Sequence, residues 1–168
     1  VLATVQKWGL ALQYASKELK NDKEVVLAAV QNHGWALQFA SNKLKNDKDV
    51  VLAAIKQYVL ALEYASDNLK NDYDIALLAV QKSGRVLQFV SNSLKNNKEI
   101  VFNASQDCFN ALEYASDELK DEESFVIKLV NKNPEELKFA SQKLKNNLEI
   151  LKIICKKGCG QWSVVYSD

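Results

Sequence analysis

The sequence predicts an all-α protein, an α-solenoid (a superhelical array) built from 25-residue two-helix repeats. A Leu-Lys motif returns at a constant step of 25 residues. Within each unit the apolar residues follow a helical period, and the strict alternation typical of a strand is absent. The copies of the motif begin at Leu19, Leu44, Leu69, Leu94, Leu119 and Leu144.

Two further columns of residues keep the same step, which extends the repeat over most of the chain. One slot is always aromatic: Tyr14, Phe39, Tyr64, Phe89, Tyr114 and Phe139. Another slot is always serine: Ser16, Ser41, Ser66, Ser91, Ser116 and Ser141. Tyr and Phe alternate in the aromatic column, which indicates that the array grew by copying 50-residue pairs of units.

The first helix of a unit is predicted from its start signal and its apolar content, as residues 21–34 illustrate. Asn21 is predicted to be the N-cap, and Glu24, three residues later, completes a capping box. Residues 25–30 are all apolar, which is typical of a helix packed on both sides. Gly34 is predicted to end this helix as a C′ glycine.

The second helix of a unit is predicted from a single apolar stripe. Leu37, Ala40, Ser41 and Leu44 follow one another at the i, i+3, i+4 and i+7 positions of one helix face. Ser41 is expected to begin a final 3₁₀ turn that carries Leu44 inward. Two helices of this length do not bury their apolar faces alone, so the units are predicted to stack.

Residues 1–168 are predicted to form a single repeat array of about six and a half units, incomplete at both ends. Val1 matches Val26 within a first helix, and Trp162 matches Leu37 within a second helix. We therefore expect the chain to be a segment of a longer protein or a subunit observed within a larger assembly.

The composition excludes several classes of protein. The chain has 22 Lys and Arg against 21 Asp and Glu, so no strong field of one sign favours nucleic acid. No apolar run approaches the ~18 residues of a membrane span, so no transmembrane segment is expected. Cys108, Cys155 and Cys159 make an odd number, which favours reduced thiols in an intracellular compartment over a disulfide framework.

The repeat resembles a known tandem repeat family. The residues that carry the resemblance are Asn-Asp-Lys-Glu-Val-Val-Leu-Ala-Ala-Val-Gln at 21–31, Gly-Trp-Ala-Leu-Gln-Phe-Ala-Ser at 34–41 and Leu-Lys-Asn-Asp at 44–47. This pattern is similar to the family catalogued as domain of unknown function 4116, and the similarity covers the whole chain. The resemblance implies a helical repeat and brings no activity and no functional residues. Ser105, Lys128 and Pro134 depart from the pattern without breaking its register.

The most informative positions are two columns that vary from unit to unit at the turn between the two predicted helices. In the first three units they hold aromatic and aliphatic side chains, and further along they become polar. Exposed aromatic residues are typical anchors of protein interfaces. The predicted partner-binding edge comprises Trp8, Leu10, His33, Trp35, Tyr58 and Leu60. In the alternative interpretation, these side chains fold back over the helix ends.

A column of lysines offers a second candidate surface. It holds Lys20, Lys45, Lys70, Lys95, Lys120 and Lys145. One interpretation is a ladder of charges for an anionic polymer or membrane surface. The other is a solvated face whose lysines lie beside the acids of the next cap, such as Asp22 and Glu24. The second is favoured, because Arg85 is the only arginine and phosphate recognition usually selects arginine.

Catalytic, metal and cofactor sites are not predicted. His33 is the only histidine, and no second imidazole or nucleophile accompanies it. Cys155 and Cys159 lack the partners that a zinc site needs, and Cys155 is expected to be a buried thiol. The serine column is interpreted as a hydrogen-bonding device at helix ends.

The sequence therefore predicts a scaffolding segment that mediates protein–protein interaction and is not an enzyme. Two alternatives stay open. The lysine column would serve an anionic polymer or membrane surface, with binding that weakens as salt rises. Alternatively, the segment would be a non-catalytic module appended to an enzyme whose active site lies outside it.

Overall fold

The computed structural model describes residues 1–107 and 110–158, with backbone alone for residues 157–158. This part of the chain is helical, without a strand, and its helices are joined by short connections. The prediction of an all-α protein is confirmed. None of these helices is long and apolar enough to cross a membrane.

Complete units contain three helical segments, or four in residues 97–121, so the prediction of two helices per unit is wrong. The long α-helices come first in the units. Their bounds are α1 Leu2–Lys7, α3 Lys23–Asn32, α5 Lys48–Gln57, α7 Tyr73–Lys82, α9 Lys98–Ala104, α12 Glu123–Lys132 and α14 Leu148–Gly158.

The predicted second helix is divided into a 3₁₀-helix and a four-residue α-helix. The 3₁₀-helices are η1 Gly9–Tyr14, η2 Gly34–Phe39, η3 Val59–Tyr64, η4 Gly84–Phe89, η5 Ser105–Asp107 and η6 Pro134–Phe139. The short α-helices are α2 Lys17–Lys20, α4 Asn42–Lys45, α6 Asp67–Lys70, α8 Asn92–Lys95, α10 Ala111–Tyr114, α11 Asp117–Lys120 and α13 Gln142–Lys145.

Extended backbone at Ala40 and Ser41 causes the division. Both residues have ψ of 157°. Ser41 is thereby placed as the N-cap of α4, where its hydroxyl oxygen accepts a hydrogen bond from the Leu44 amide. The predicted inward turn is thus an α-helix with a serine cap, and it buries Leu44 as expected.

The N-cap of the long helix is Asp22, which corrects the prediction of Asn21. The Asp22 carboxylate accepts hydrogen bonds from the amides of Glu24 and Val25, at 2.9 and 3.1 Å. Asn21 is instead the last residue of the preceding turn, as the C-cap of α2. Its side chain therefore remains available for a contact with another unit.

Gly34 follows the long helix as predicted, but for a different physical reason. It is the first residue of η2, so it needs no left-handed backbone. A Cβ atom at this position would overlap the carbonyl oxygen of Ala54 in the next long helix. Glycine fits here because two successive units approach closely, whereas Val59 and Pro134 occupy the same slot in two other units.

The core runs through all described units without interruption. α3 packs against α1 on one side and α5 on the other, as predicted for a helix that is apolar on most of its surface. Five of the six 3₁₀-helices, all but η5, bury a leucine of one column: Leu12, Leu37, Leu62, Leu87 and Leu137. Each unit therefore completes its neighbours' core, and no unit has a core of its own.

Candidate functional site

Successive units are joined by a hydrogen-bonded node centred on the serine column. The Ser41 amide donates to the carbonyl oxygen of Lys20 in the preceding unit, at 2.9 Å. The Ser41 hydroxyl donates to Oδ1 of Asn21, at 2.7 Å, while the same oxygen accepts from the Leu44 amide. One serine thus caps its own helix and fixes it to the unit before.

This node recurs at every described junction, and we call it the serine–asparagine ladder. Its hydroxyl bonds join Ser41 to Asn21, Ser66 to Asn46, Ser91 to Asn71, Ser116 to Asn96 and Ser141 to Asp121. The prediction that serine serves at helix ends is confirmed. The sequence signal for the pairing was the constant separation of 20 residues between two polar columns.

A second ladder crosses the N-terminal ends of the long helices. The Lys23 ammonium lies 2.8 Å from carboxylate oxygens of both Asp47 and Asp49. Lys48 pairs in the same way with Asp72, at 2.8 Å, and Lys98 pairs with Glu122. The hydrogen bond from Lys23 holds the pKa of Asp47 below its ordinary value. The cap acids are therefore neutralised by lysines of the preceding unit.

The unit containing residues 122–146 introduces a buried carboxylate into the array. Glu136 is fully buried, and its two carboxylate oxygens accept hydrogen bonds from the amides of Ala111 and Leu112, each at 2.9 Å. These amides lie at the free N-terminus of α10. Burial raises the pKa of Glu136, and the two amide bonds partly offset that shift. Glu136 was not predicted from the sequence, although the same slot holds alanine or valine in the five preceding units.

The residues of the predicted partner-binding edge lie where the long helices end and the 3₁₀-helices begin. We call this surface the turn edge and define it by Trp8, Leu10, His33, Trp35, Tyr58 and Leu60. Trp8 is 67% exposed and Trp35 is 42% exposed, while Tyr58 and Leu60 are partly buried against the core. His33 is partly buried, and its Nδ1 has no hydrogen-bond partner among the described residues.

The turn edge contains one aromatic pair between units. The rings of Trp35 and Tyr58 are stacked, with centroids 5.5 Å apart and planes inclined by 26°. The Trp35 indole N–H also donates a hydrogen bond to the Tyr64 hydroxyl. Trp35 is thus held in place by the next unit and still exposes much of its surface, as a preformed binding anchor does.

The lysine column lies on a different surface, beside the serine–asparagine ladder. All six ammonium-bearing side chains are half-buried: Lys20, Lys45, Lys70, Lys95, Lys120 and Lys145. Burial lowers the pKa of Lys45 and Lys95, and the charge of Lys70 adds to the shift at Lys45. Among the described residues, none of these six lysines forms an ion pair with an acid of the next cap, and those acids pair with the Lys23 column.

The remaining candidate residues do not come together into a reactive site. In the described ranges, no group of three or more His, Cys, Asp or Glu side chains is arranged to hold a metal ion. The prediction of a buried thiol at Cys155 is wrong, because Ile150 and Ile154 form the buried face of α14 and Cys155 is exposed. Cys108, Cys159 and Trp162 lie outside the described residues.

The described geometry defines a class of protein, a tandem array of helical units joined by repeated polar ladders. The chain belongs to the family described as Domain of unknown function (DUF4116), whose model matches residues 1–45, 23–70, 72–120 and 122–161. The match at 72–120 covers two successive 25-residue units, in agreement with the 50-residue rhythm of the aromatic column. The comparison with curated proteins gives no match, and neither does the comparison with solved structures.

Proposed function

We propose that this chain is a segment of an α-solenoid whose function is to bind and position a protein partner along the turn edge. The solenoid arrangement is supported by the repetition of the junction. Because the same serine–asparagine contact joins each described unit to the next, each junction applies nearly the same rotation and translation. Repetition of one such operation generates an extended superhelix with long continuous edges.

The partly exposed and pre-positioned Trp35 is the observation that carries the proposal of partner binding. Its ring is stacked on Tyr58 and its N–H is bonded to Tyr64, yet 42% of the residue is exposed. Trp8 is exposed to a greater extent one unit earlier. Tryptophan and tyrosine dominate the energetic centres of protein interfaces, and a fixed side chain loses little conformational entropy on binding.

A non-catalytic role is proposed for the segment, as scaffold or as the binding module of a larger protein or assembly. Four residues of the turn edge have no ionisable group and contribute contact area, namely Trp8, Leu10, Trp35 and Leu60. The lysine column remains a second proposal for anionic polymers. The geometry favours it less, since its ammonium groups are half-buried and two of them have lowered pKa values.

The proposal is tested by affinity capture from the native cell with the intact parent protein and two variants. Trp35→Ala with Tyr58→Ala removes the stacked pair, and Tyr14→Ala removes an aromatic ring that is 85% exposed at the last residue of η1 and is not one of the turn-edge residues. We expect the wild type and Tyr14→Ala to retain the same partner and the double variant to lose it. Equal recovery with all three folded proteins would overturn the turn edge as the site.

A further inference from the structure

The turn edge also carries basic side chains that form no ion pair within the described part of the chain, although the Asp107 carboxylate accepts a hydrogen bond from Gly84, next to Arg85. Lys7 and Lys56 lie in the last turns of α1 and α5, Lys82 ends α7, and Arg85 is the second residue of η4. All four side chains are exposed, and none forms an ion pair with a residue that the structure describes. They flank the exposed rings of Trp8 and Trp35 along the first four turns.

Except for Glu63 in η3, the acids of these units lie near the opposite ends of the long helices or in the short helices before them. Asp47 and Asp72 are N-caps there, and the ladder from Lys23 and Lys48 neutralises them. The turn segments 6–10, 31–35, 56–60 and 81–85 contain no acid, and the first one at this edge is Asp107. The opposite ends thus carry charges of both signs, whereas these four turn segments carry basic residues without acids.

The helix dipoles reduce this positive potential without removing it. A helix C-terminus carries up to about half a negative charge, whereas each basic side chain carries a full positive charge. The dipole effect also falls off within the last turn, while long exposed side chains extend beyond it. A partner that approaches the edge therefore meets Lys7, Lys56, Lys82 and Arg85 before it meets the helix ends.

We propose that the turn edge from Lys7 to Arg85 binds an extended acidic peptide segment whose acids are interspersed with apolar or aromatic residues. This inference rests on the proposed function and specifies the chemistry of the partner. The exposed rings would receive the apolar side chains, and the four cations would pair with the carboxylates. Units that stack at the usual interhelical spacing of about 10 Å correspond to about three residues of extended chain each.

A protein segment fits this edge better than a single-stranded nucleic acid. Bases bind by stacking on free aromatic faces. One face of Trp35 is occupied by the Tyr58 ring, and the Lys7 ammonium lies 5.8 Å from the centroid of the Trp8 ring. The cations are also spread over four units, so they provide no dense track for successive phosphates.

The test measures fluorescence anisotropy of a labelled peptide of about 12 residues, long enough for about four units of extended chain. Its sequence repeats Asp-Phe-Glu. A Lys-Phe-Lys peptide and an oligothymidine of equal length serve as comparison probes. The charge-reversal variant is Lys56→Glu, Lys82→Glu, Arg85→Glu. Its matched control is Lys17→Glu, Lys43→Glu, Lys143→Glu, which changes the net charge equally at exposed lysines away from the edge.

We expect the acidic peptide to bind the wild type and the matched control with similar affinity, and to bind more weakly at raised salt. The edge reversal is expected to weaken binding by at least ~10-fold, because like charges replace attractive ones. Equal loss in both reversal variants, or stronger binding of oligothymidine or of the basic peptide, would overturn the acidic partner.

A Trp8→Ala, Trp35→Ala variant separates this inference from the proposed function. If it loses binding while the edge reversal does not, the acidic partner is excluded and protein binding by the turn edge stands. If neither variant affects binding of the peptide, the acidic partner fails at this edge. The capture experiment with Trp35→Ala and Tyr58→Ala then decides the proposed function by itself.

Discussion

The hydroxyl of Ser41 donates a hydrogen bond to Oδ1 of Asn21, 2.7 Å away in the preceding unit. The same hydroxyl oxygen caps the helix that begins at Asn42. One side chain therefore couples the start of a short helix to the docking of two units. Because Asp121 replaces asparagine in the equivalent contact with Ser141, the contact requires an oxygen acceptor and does not require an amide.

Ser41→Ala is expected to destabilise the chain by about 1–2 kcal/mol, because it removes an N-cap together with a hydrogen bond between units. Asn21→Asp keeps the acceptor and should change stability far less than Asn21→Ala. Denaturant unfolding monitored by circular dichroism provides the measurement. Asn42→Ala, at an exposed neighbouring position, is the control. Equal stability of Ser41→Ala and this control would contradict the coupling.

Gly34→Ala is expected to cost about 1–3 kcal/mol, since the added methyl group would overlap backbone atoms of the next unit. The overlap involves the Ala54 carbonyl and the Tyr58 backbone, which cannot move as freely as the end of a side chain. Thermal unfolding should show a lowered midpoint. Gln31→Ala, on the exposed surface of the same unit, should stay within about 0.5 kcal/mol of the wild type. An unchanged midpoint for Gly34→Ala would show that the units are not in close contact there.

Asp72 is expected to contribute stability that acid removes. The Lys48 ammonium lowers the pKa of this carboxylate, so its contribution is present above the unfolded-state pKa and is lost as pH falls through the folded-state value. Asp72→Asn removes the charge and keeps a capping side chain, as Asn97 does naturally. The variant should be less stable at neutral pH by at most about 1 kcal/mol, because the pair is partly exposed.

The difference between wild type and Asp72→Asn should shrink as the pH is lowered below about 4, where aspartate is protonated. Asp67→Asn is the matched control, since Asp67 is exposed and forms no ion pair with a described residue. Urea titrations over an acidic pH series measure the effect. A difference that stays constant with pH would exclude the ion pair as its source.

Glu136 is expected to show the opposite dependence on pH. Burial raises its folded-state pKa, so its contribution to stability is greatest below the unfolded-state pKa and declines as pH rises through the raised value. The free energy of unfolding of wild type relative to Glu136→Gln should therefore fall between about pH 4 and neutrality. The neighbouring Glu135→Gln, at an exposed position, should show no such trend. The same slope in both variants would contradict the assignment to the buried carboxylate.

The repeat and its helical class could be predicted from the sequence because both depend on local spacing. The columns through Leu19 and Ser16 repeat every 25 residues, and apolar residues such as Val26 and Val30 follow a helical period. The predicted burial of Leu37, Ala40 and Leu44 is confirmed for the same reason. Local pattern was also sufficient to place the cap near Asn21, with an error of one residue.

The contacts between units could not be predicted in this way, because each one involves a partner about 20–25 residues distant. Asparagine is a residue type preferred at N-caps. Only the position of Ser41 shows that the Asn21 side chain accepts a hydrogen bond from the next unit. From the sequence alone Lys23 would likewise be taken for a solvated residue, because its ion pair with Asp47 depends on how two units dock. The sequence placed the turn edge at the helix ends, but the stacking of Trp35 on Tyr58 depends on how two units dock.

Site-specific photo-crosslinking determines whether the turn edge is the surface that holds a protein partner. A benzoylphenylalanine is introduced at Trp35 in the intact parent protein, and at Tyr14 in a parallel sample, and each is irradiated in the native cell. We expect a crosslinked partner protein from position 35 and none from position 14. A partner captured from position 14 but not from position 35 would contradict this expectation.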